Sequence, residues 1–422
     1  MQILIKILLL LVFLSKVSFA FIPGFPQQLS FLLFQSGLHP FVNIFINVTI
    51  GGLLLFIFLL SKKHENFQNK IYKFYLFLFS VFLLSITLLQ ALFIESESSA
   101  VMQVLSALSA IATVYLYGRA IPCEYKVESF FSFTKKSTIF LCLVSLVSLI
   151  VFPGVSFKGG RFIGIFKHIP YMVTVATVAC TFLIYELVYL NQSRLRKLVY
   201  SFIFLVCFVL LILTGTRSAL FAVILSYFLS VLFFPSVKAT TQFLKVSLGV
   251  GIVLSSLLFG PMIIDYTIGI VRGENSIGLR AAQDGVSSRI DEVERGFETF
   301  KKNPWLGQGL LSKFADINEN NAGGYNANKD PHNIMVSAGV IGGVGFIAII
   351  AVGVLGLFII AFKRVRSSIP EVKILAIYIL TQLPILMIYH VHLSLGGMAD
   401  RLYWLIIGFL MINYNKKQQQ HY

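Results

Sequence analysis

The sequence has little charge and few acidic residues. Only 12% of its 422 residues are charged, whereas soluble domains carry roughly 25%. The composition is 57% hydrophobic, and the mean hydropathy is +0.84. Basic residues outnumber acidic ones by 34 to 18, but they are spread over short connecting stretches and form no basic domain. These features exclude an ordinary soluble fold and a nucleic-acid partner, and they indicate burial in a lipid bilayer.

Several motifs of catalytic and metal sites are absent as well. The four cysteines, at positions 123, 142, 180 and 207, lie in or beside apolar runs, so no disulfide framework is indicated. No Cys/His cluster has the spacing of a metal site. The sequence contains no Asp-x-Asp, no phosphate-binding loop of the Walker type and no Gly-x-Ser-x-Gly. We therefore predict neither a metal nor a cofactor.

Apolar runs separated by charged or turn-rich stretches predict an all-α fold, a polytopic transmembrane helical bundle with about twelve spans. A helix needs about 20 apolar residues to cross the hydrocarbon of a bilayer. The tenth run is long enough to tilt or protrude. The predicted spans cover residues 3–20, 39–60, 72–94, 101–121, 137–153, 170–190, 197–214, 218–234, 245–264, 333–362, 372–391 and 402–414.

The distribution of Lys and Arg predicts the orientation of the spans, because cytoplasmic loops carry an excess of basic residues. The connections at 21–38 and 95–100 contain none, whereas the loops predicted on the opposite side are rich in them. We therefore predict a multi-pass protein with both termini in the cytoplasm. The first run, which contains Lys6 and ends at Ser18-Phe19-Ala20, is alternatively a cleavable signal. Cleavage would leave the other spans unchanged.

One long hydrophilic stretch divides the chain into three segments of a single integrated membrane domain. Residues 1–264 hold the first nine spans, residues 265–332 form a small subdomain outside the membrane, and residues 333–422 hold the last three spans and a cytoplasmic tail. Within the loop, Ser288 to Asn303 predicts an amphipathic helix, which we expect to lie along the membrane surface or pack on the bundle. Its apolar stripe consists of Ile290, Val293, Phe297 and Phe300.

Two arginines on the predicted outer face, Arg217 and Arg289, are candidates for binding an anion. Arg217 lies in a bare turn between two apolar spans, and Arg289 begins the amphipathic helix. Arg161 and Arg401 lie in two further outer connections. Arg217 is alternatively an interfacial anchor, and Arg289 is alternatively a solvated residue at the start of a helix. A functional interpretation is an anion clamp, because a guanidinium presents a planar fork of donors that matches diphosphate oxygens.

His332, at the mouth of the tenth span, is the candidate general base. An imidazole with a pKa near 6.5 suits removal of a proton from a sugar hydroxyl. Asp330 could orient it, although Pro331 lies between them. His390 and His392, at the outer end of the eleventh span, are rival bases, and an interfacial polar role is the alternative. The glycines that follow, at 339 and 343, are expected to serve close helix packing.

Three stretches, in order, carry a family resemblance. Residues 214–218 look like a Thr-x-Ser/Thr-Arg turn, and 331–343 look like a His-Asn-x-x-(x)n-Gly segment. The middle stretch resembles Arg-(x)n-Gly-x-x-x-Phe-x-x-x-Pro-x-x-Gly-x-Gly. Its matching residues are Arg289, Gly296, Phe300, Asn303, Pro304, Gly307 and Gly309. Over residues 160–414 the chain thus resembles the O-antigen ligase and polymerase superfamily of bacterial envelope glycosyltransferases.

This resemblance implies an enzyme of the bacterial inner membrane whose site faces the periplasm. The implied donor is a glycan on undecaprenyl diphosphate, and the implied transfer is inverting and needs no metal. Arg217 and Arg289 are then assigned to the diphosphate, and His332 to activation of the acceptor hydroxyl. Arg161 resembles another family arginine near the donor site. Arg401 completes the predicted substrate-binding set.

The acceptor is left open by the sequence. A ligase transfers the glycan to lipid A-core, and this is the function we predict. A polymerase of O-antigen or exopolysaccharide instead joins lipid-linked repeat units. A non-enzymatic flippase is a third hypothesis, but ion-coupled transporters usually carry ionisable groups at mid-depth in the membrane. The predicted spans hold almost no carboxylates, with Glu186 the exception.

Overall fold

The computed structural model describes residues 2–14, 17, 69–93, 97–158, 161–166, 169–188, 193–234, 287–309, 333–386, 398–412 and 414. The predicted spans at 39–60 and 245–264 lie outside these residues, as do Asp330, His332, His390 and His392. The chain divides into two compact units. Unit 1 comprises Met1–Ser36, Tyr125–Gln283 and Ala361–Ile385, and unit 2 comprises Gly37–Glu124, Asp284–Ile360 and Leu386–Tyr422. The predicted division of the chain at 264 and 332 stays a prediction.

Almost all of the described residues are helical. The only described strands, β1 (Phe157–Lys158) and β2 (Arg161–Phe162), form an antiparallel pair with Lys158 opposite Arg161. A π-helix, Leu116–Ala120, continues directly from the third helix. In chain order the α-helices are α1 (Gln2–Leu14), α2 (Lys70–Ala91), α3 (Glu97–Tyr115), α4 (Ile121–Glu124), α5 (Val127–Val151), α6 (Pro153–Ser156), α7 (Ile169–Val188), α8 (Arg194–Leu213), α9 (Arg217–Phe233), α10 (Ser287–Lys302), α11 (Ile334–Arg364), α12 (Pro370–Leu386) and α13 (Met398–Leu410).

Six helices in the described part of the chain are long and apolar enough to cross a membrane. The segment Ser218–Phe233 is a shorter apolar helix. The predicted all-α polytopic membrane class is therefore confirmed, whereas the total of about twelve spans stays a prediction. The six helices are Lys70–Ala91, Gln103–Glu124, Val127–Val151, Ile169–Val188, Arg194–Leu213 and Ile334–Arg364.

Helix α7 is the centre of unit 1 and packs against α5, α8 and α9. Its side chains are buried from Val175 to Glu186, as expected for a helix that is apolar on every side. Small hydroxyls join it to its neighbours. Thr181 donates a hydrogen bond of 3.3 Å to Ser226 on α9, which in turn donates one of 3.2 Å to Thr381 on α12. Such contacts are a common means of joining helices in lipid, where polar groups have no water to bind.

An ion pair in unit 1 explains the exceptional carboxylate in the predicted spans. Lys135 on α5 donates to the carboxylate of Glu186 on α7, and their side chains are only 13% and 5% exposed. Helix α5 begins at Val127, before the predicted span start at 137. Lys135 therefore lies within a helix and not in the predicted loop. Glu186 neutralises its charge there. Removing one partner of a buried pair is strongly destabilising, which indicates a structural role for Glu186.

In unit 2, α2 packs against α3, and α13 packs against the π-helix. The approach of α13 is very close, since a Cβ on Gly408 would lie 2.5 Å from the carbonyl oxygen of Gly118. The Tyr72 hydroxyl on α2 donates a 3.1 Å hydrogen bond to the same carbonyl. The π-helix is thus held by both neighbours. Hydropathy patterns did not predict it.

Candidate functional site

In unit 1, a tight turn places Arg217 at the first position of a helix. Helix α8 ends at Leu213, and Gly215 adopts a left-handed conformation with φ of +66°. Its N–H donates a 2.9 Å hydrogen bond to the carbonyl of Ile212, as is typical of a helix that ends at a glycine. Thr216 is the N-cap of α9, and Arg217 follows it. The motif residues therefore reverse the direction of the chain within a few residues. Any residue with a Cβ at position 215 would strain this turn.

Arg161 braces this turn from the neighbouring strand pair. Its Nε donates to the carbonyl of Thr214 at 2.8 Å, and its Nη2 donates to the hydroxyl of Thr216 at 2.9 Å. The guanidinium thus contacts the chain on both sides of Gly215. A planar fork of donors suits such a bridge, whereas a lysine ammonium would not reproduce it. Arg161, predicted to bind substrate, therefore has a supporting contact with the turn that presents Arg217.

The same contact leaves the N-terminus of α9 without a side-chain cap. Thr216 is a residue type that normally caps a helix, but its side chain makes no capping hydrogen bond here and instead accepts from Arg161. The first N–H groups of a helix lack intrahelical partners and favour anions. The turn therefore joins three features that suit a phosphate group: a helix N-terminus that Thr216 does not cap, Arg217 at its first position and Arg161 beside the turn.

In unit 2, the predicted amphipathic helix is confirmed as α10, with Arg289 in its first turn. Gly296 is buried, and the Phe300 ring packs against α11, where a Cβ on Gly339 would lie 2.9 Å from it. Phe297 remains 46% exposed. The helix therefore packs on α11 through Phe300, whereas Phe297 of the predicted apolar stripe is partly exposed. The predicted packing role of Gly339 is confirmed.

Helix α11 is broken in its middle. Gly342 and Gly343 have non-helical conformations, with φ and ψ of −142° and 22° for the first and of 67° and −164° for the second. A break in a helix leaves nearby backbone groups without their i to i−4 partners. Here the loop after α10 supplies three of them. They are Gln308 N to Val340 O at 2.6 Å, Gly309 N to Ile341 O at 3.0 Å, and Val344 N to Pro304 O at 2.8 Å.

The glycines of two separate motifs meet at this break, which we call the α10–α11 junction (residues 303–309 and 339–344). A Cβ on Gly307 would lie 2.6 Å from the backbone N of Gly342, and one on Gly343 would lie 2.2 Å from the carbonyl oxygen of Trp305. Gly307 and Gly343 both have φ of +67°. Gly343 therefore admits the loop, whereas close packing of helices was predicted for it. The long tenth run is thus two helical segments that meet at a glycine break, and the loop after α10 docks onto that break.

Asn333, which follows His332 in the His-Asn motif, caps α11. Its side-chain oxygen accepts hydrogen bonds from the N–H groups of Met335 at 2.9 Å and Val336 at 3.2 Å. Such a cap typically contributes about 1 kcal/mol to stability. The residue directly after His332 is therefore fixed to a helix end. His332 itself lies outside the described residues.

Arg401 lies inside unit 2. It is only 2% exposed, and its guanidinium carbon is 5.8 Å from the centre of the Tyr117 ring. Met411, ten residues further on, accepts a 3.1 Å hydrogen bond from Asn69 N at the start of α2. A helix rises 1.5 Å per residue, so Arg401 is about 15 Å along α13 from Met411 and from the start of α2. This distance corresponds to the middle of α2, which has 22 residues. Its Nε and Nη2 have no hydrogen-bond partner in the part of the chain that the structure describes.

The geometry alone does not distinguish a transferase from a flippase, and comparison with protein families bears on this choice. Residues 202–350 match the model of a family described as O-antigen ligase. The match covers about a third of the chain. The predicted resemblance to the O-antigen ligase superfamily is thereby confirmed, and the match supports a membrane glycosyltransferase of the ligase and polymerase type. A search of curated proteins found no match.

The matched region, residues 202–350, contains both described motif structures. It begins in α8, includes the turn that leads to Arg217, and ends in α11 beyond the α10–α11 junction. Arg161 and Arg401 lie outside it, so their roles depend on their own contacts. Among the described residues, no group of three or more His, Cys, Asp or Glu side chains is arranged to hold a metal ion.

Proposed function

We propose that the protein is an O-antigen ligase that transfers a glycan from undecaprenyl diphosphate to lipid A-core at the periplasmic face of the inner membrane. The observation that carries the proposal is the turn at Arg217, which lies within the matched region 202–350 and is braced by Arg161 from outside that region. Positive groups of this kind stabilise the charge of a departing diphosphate. Arg289, at the start of α10, is proposed as the second diphosphate contact. Arg401 stays a candidate substrate contact, because two nitrogens of its buried guanidinium have no hydrogen-bond partner among the described residues.

The proposed reaction is a single displacement. His332 takes the proton of the acceptor hydroxyl as that oxygen attacks the anomeric carbon of the donor. The bond from this carbon to the diphosphate oxygen breaks, and the diphosphate leaves with the electron pair. Arg217 and Arg289 stabilise the negative charge that develops on it. One displacement inverts the anomeric configuration, and no covalent glycosyl-enzyme forms.

A polymerase that joins lipid-linked repeat units is the second candidate, because the matched domain is common to both reactions. The lipopolysaccharide of a deletion strain separates the two. For a ligase we expect complete loss of capped lipid A-core with accumulation of long lipid-linked chains. A cap of one repeat unit would indicate a polymerase. Lipid-linked glycan trapped on the cytoplasmic side would indicate a flippase and would contradict an enzyme.

The proposed topology predicts that residues 265–332 lie in the periplasm. Alkaline phosphatase is active only after export, so its fusion after Asn321 should be active, and its fusion after Lys363 should be inactive. The expectation follows from the alternation of basic residues among the loops. The opposite pair of results would reverse the orientation and would remove the proposed site from the periplasm.

Arg161 donates hydrogen bonds to both sides of the turn, so we predict that the shape of its guanidinium is required and not only its charge. Hydrogen bonds to charged groups contribute about 1.5–3 kcal/mol, so Arg161→Lys should lower the turnover of purified protein by about tenfold or more. Thr216→Val, which removes the acceptor of Nη2, should have a similar effect, and Thr216→Ser should be nearly normal. The double variant Arg161→Lys/Thr216→Val should be little worse than either single variant. Near-normal activity of Arg161→Lys would indicate that only its charge matters.

A further inference from the structure

Two buried glutamines meet beneath the α10–α11 junction in unit 2. Gln90 lies near the end of α2 and is 7% exposed, while Gln103 lies on α3 and is 2% exposed. The side-chain amide of Gln103 donates a 2.7 Å hydrogen bond to the side-chain oxygen of Gln90. Neither residue belongs to the motifs that carry the family resemblance.

Gln90 connects the two halves of the junction. Its Nε2 donates to the carbonyl of Leu306 in the loop at 2.5 Å and to the carbonyl of Ile341 at the α11 break at 2.8 Å. Both of its N–H bonds and its oxygen are therefore used. A buried polar group costs free energy unless it is hydrogen-bonded, and a fully satisfied network fixes a single geometry.

Gly309 completes the network on the side of Gln103. A Cβ at this position would lie 2.1 Å from Nε2 of Gln103, and its φ of +94° disfavours other residues. The backbone of Gly309 therefore rests against the Gln103 amide. The loop 303–309 is held on one side by the broken helix and on the other by the two glutamines.

We propose that Gln90 and Gln103 are positioning residues for glycan transfer, which act by fixing the junction at which α10 is anchored. This inference rests on the proposed function, in which Arg289 at the start of α10 binds the diphosphate. Arg289 precedes Asn303 by fourteen residues, or about 21 Å of helix. A tilt of roughly 10° at the junction would therefore move the start of α10 by about 4 Å. A misplacement of 1 Å can cost about 100-fold in rate.

The test compares two leucine variants with a matched control in purified full-length protein, using a synthetic undecaprenyl-diphosphate-linked glycan and lipid A-core. Gln90→Leu and Gln103→Leu should lower kcat by about 10-fold to 100-fold and leave the KM for the acceptor nearly unchanged. Thr87→Val is the control, because Thr87 lies one turn before Gln90, is 1% exposed, and has a hydroxyl with no hydrogen-bond partner in the described part of the chain. It should retain normal kcat.

A double-mutant cycle separates positioning from a general loss of stability. In the weakly active Arg289→Lys background, Gln90→Leu should cause little further loss, because the guanidinium that it positions is already absent. A full multiplicative loss would overturn the proposal. If Gln90→Leu does not fold, Gln103→Leu serves in its place, since it removes only the outer hydrogen bond.

Hydrogen exchange distinguishes failure of this inference from failure of the proposed function. Gln90→Leu should speed exchange of the amides of Gln308 and Gly309, which bond to the α11 break. Faster exchange with unchanged kcat overturns the positioning role and leaves the proposed function standing. Faster exchange in a protein whose unmodified form transfers no glycan overturns both, because there is then no reaction to position. Unchanged exchange would show that the two glutamines do not hold the loop 303–309 in place, and this result would overturn the proposal.

Discussion

Arg217→Ala and Arg289→Ala are each expected to abolish glycan transfer while the protein remains inserted and expressed. Both residues begin helices, α9 and α10, where backbone N–H groups and a guanidinium can act on the same anion. The leaving diphosphate gains charge as its bond to the sugar breaks, so donors aimed at it contribute more in the transition state than in the ground state. Removing one donor of this kind typically costs 100-fold to 1000-fold in kcat.

Lysine at either position should restore little activity, because an ammonium is a point charge and does not reproduce the two-pronged contact of a guanidinium with phosphate. Arg295→Ala is a matched control, since Arg295 lies on α10 and is exposed. It should have near-normal turnover. If the lysine variants also turned over at near-normal rate, Arg217 and Arg289 would be membrane anchors or sources of general positive charge.

His332→Ala is expected to retain donor binding and thermal stability but to lose turnover by 100-fold to 10,000-fold, which is the usual contribution of a general base. His390→Ala and His392→Ala should be much milder. Turnover and donor affinity are measured separately on purified protein, and stability is followed by thermal unfolding. A histidine that merely packs at the end of a span would lower stability instead.

Asn333 provides the matched control for this experiment, because it is the neighbour of His332 and its side chain caps α11. Asn333→Ala should lower stability by about 1 kcal/mol while changing turnover less than His332→Ala does. Retained turnover in His332→Ala would transfer the role of base to His390, His392 or Asp330.

The helices could be predicted closely from the sequence, because burial in lipid or against a bundle imposes a period on the apolar residues. The helix expected from Ser288 to Asn303 is α10, Ser287–Lys302. The span expected at 170–190 is α7, Ile169–Val188. The early start of α5 could not be predicted, because two lysines in succession are typical of a loop. Only the contact of Lys135 with Glu186, which is distant in sequence, shows why the helix continues through them.

The candidate site was predictable as a set of motif residues but not as a set of contacts. Gly307 and Gly343 belong to motifs far apart in sequence, and glycines in apolar spans usually serve helix packing. Hydropathy therefore gave no sign of the break in α11 or of the loop docked into it. Gln90 and Gln103 resemble any polar residues near the end of a span. Arg161 was predicted beside the donor, but its hydrogen bonds to Thr214 and Thr216 depend on a two-residue strand pair that no periodicity reveals.

The central claim is that this chain alone catalyses transfer from a polyprenyl-diphosphate donor. It is tested most directly with purified protein in detergent, a synthetic undecaprenyl-diphosphate-linked glycan, lipid A-core as acceptor, and EDTA throughout. We predict a glycosylated acceptor with inverted anomeric configuration, equimolar release of undecaprenyl diphosphate, and no product from Arg217→Ala. No product from the unmodified protein, activity only without EDTA, or a retained configuration would contradict the account.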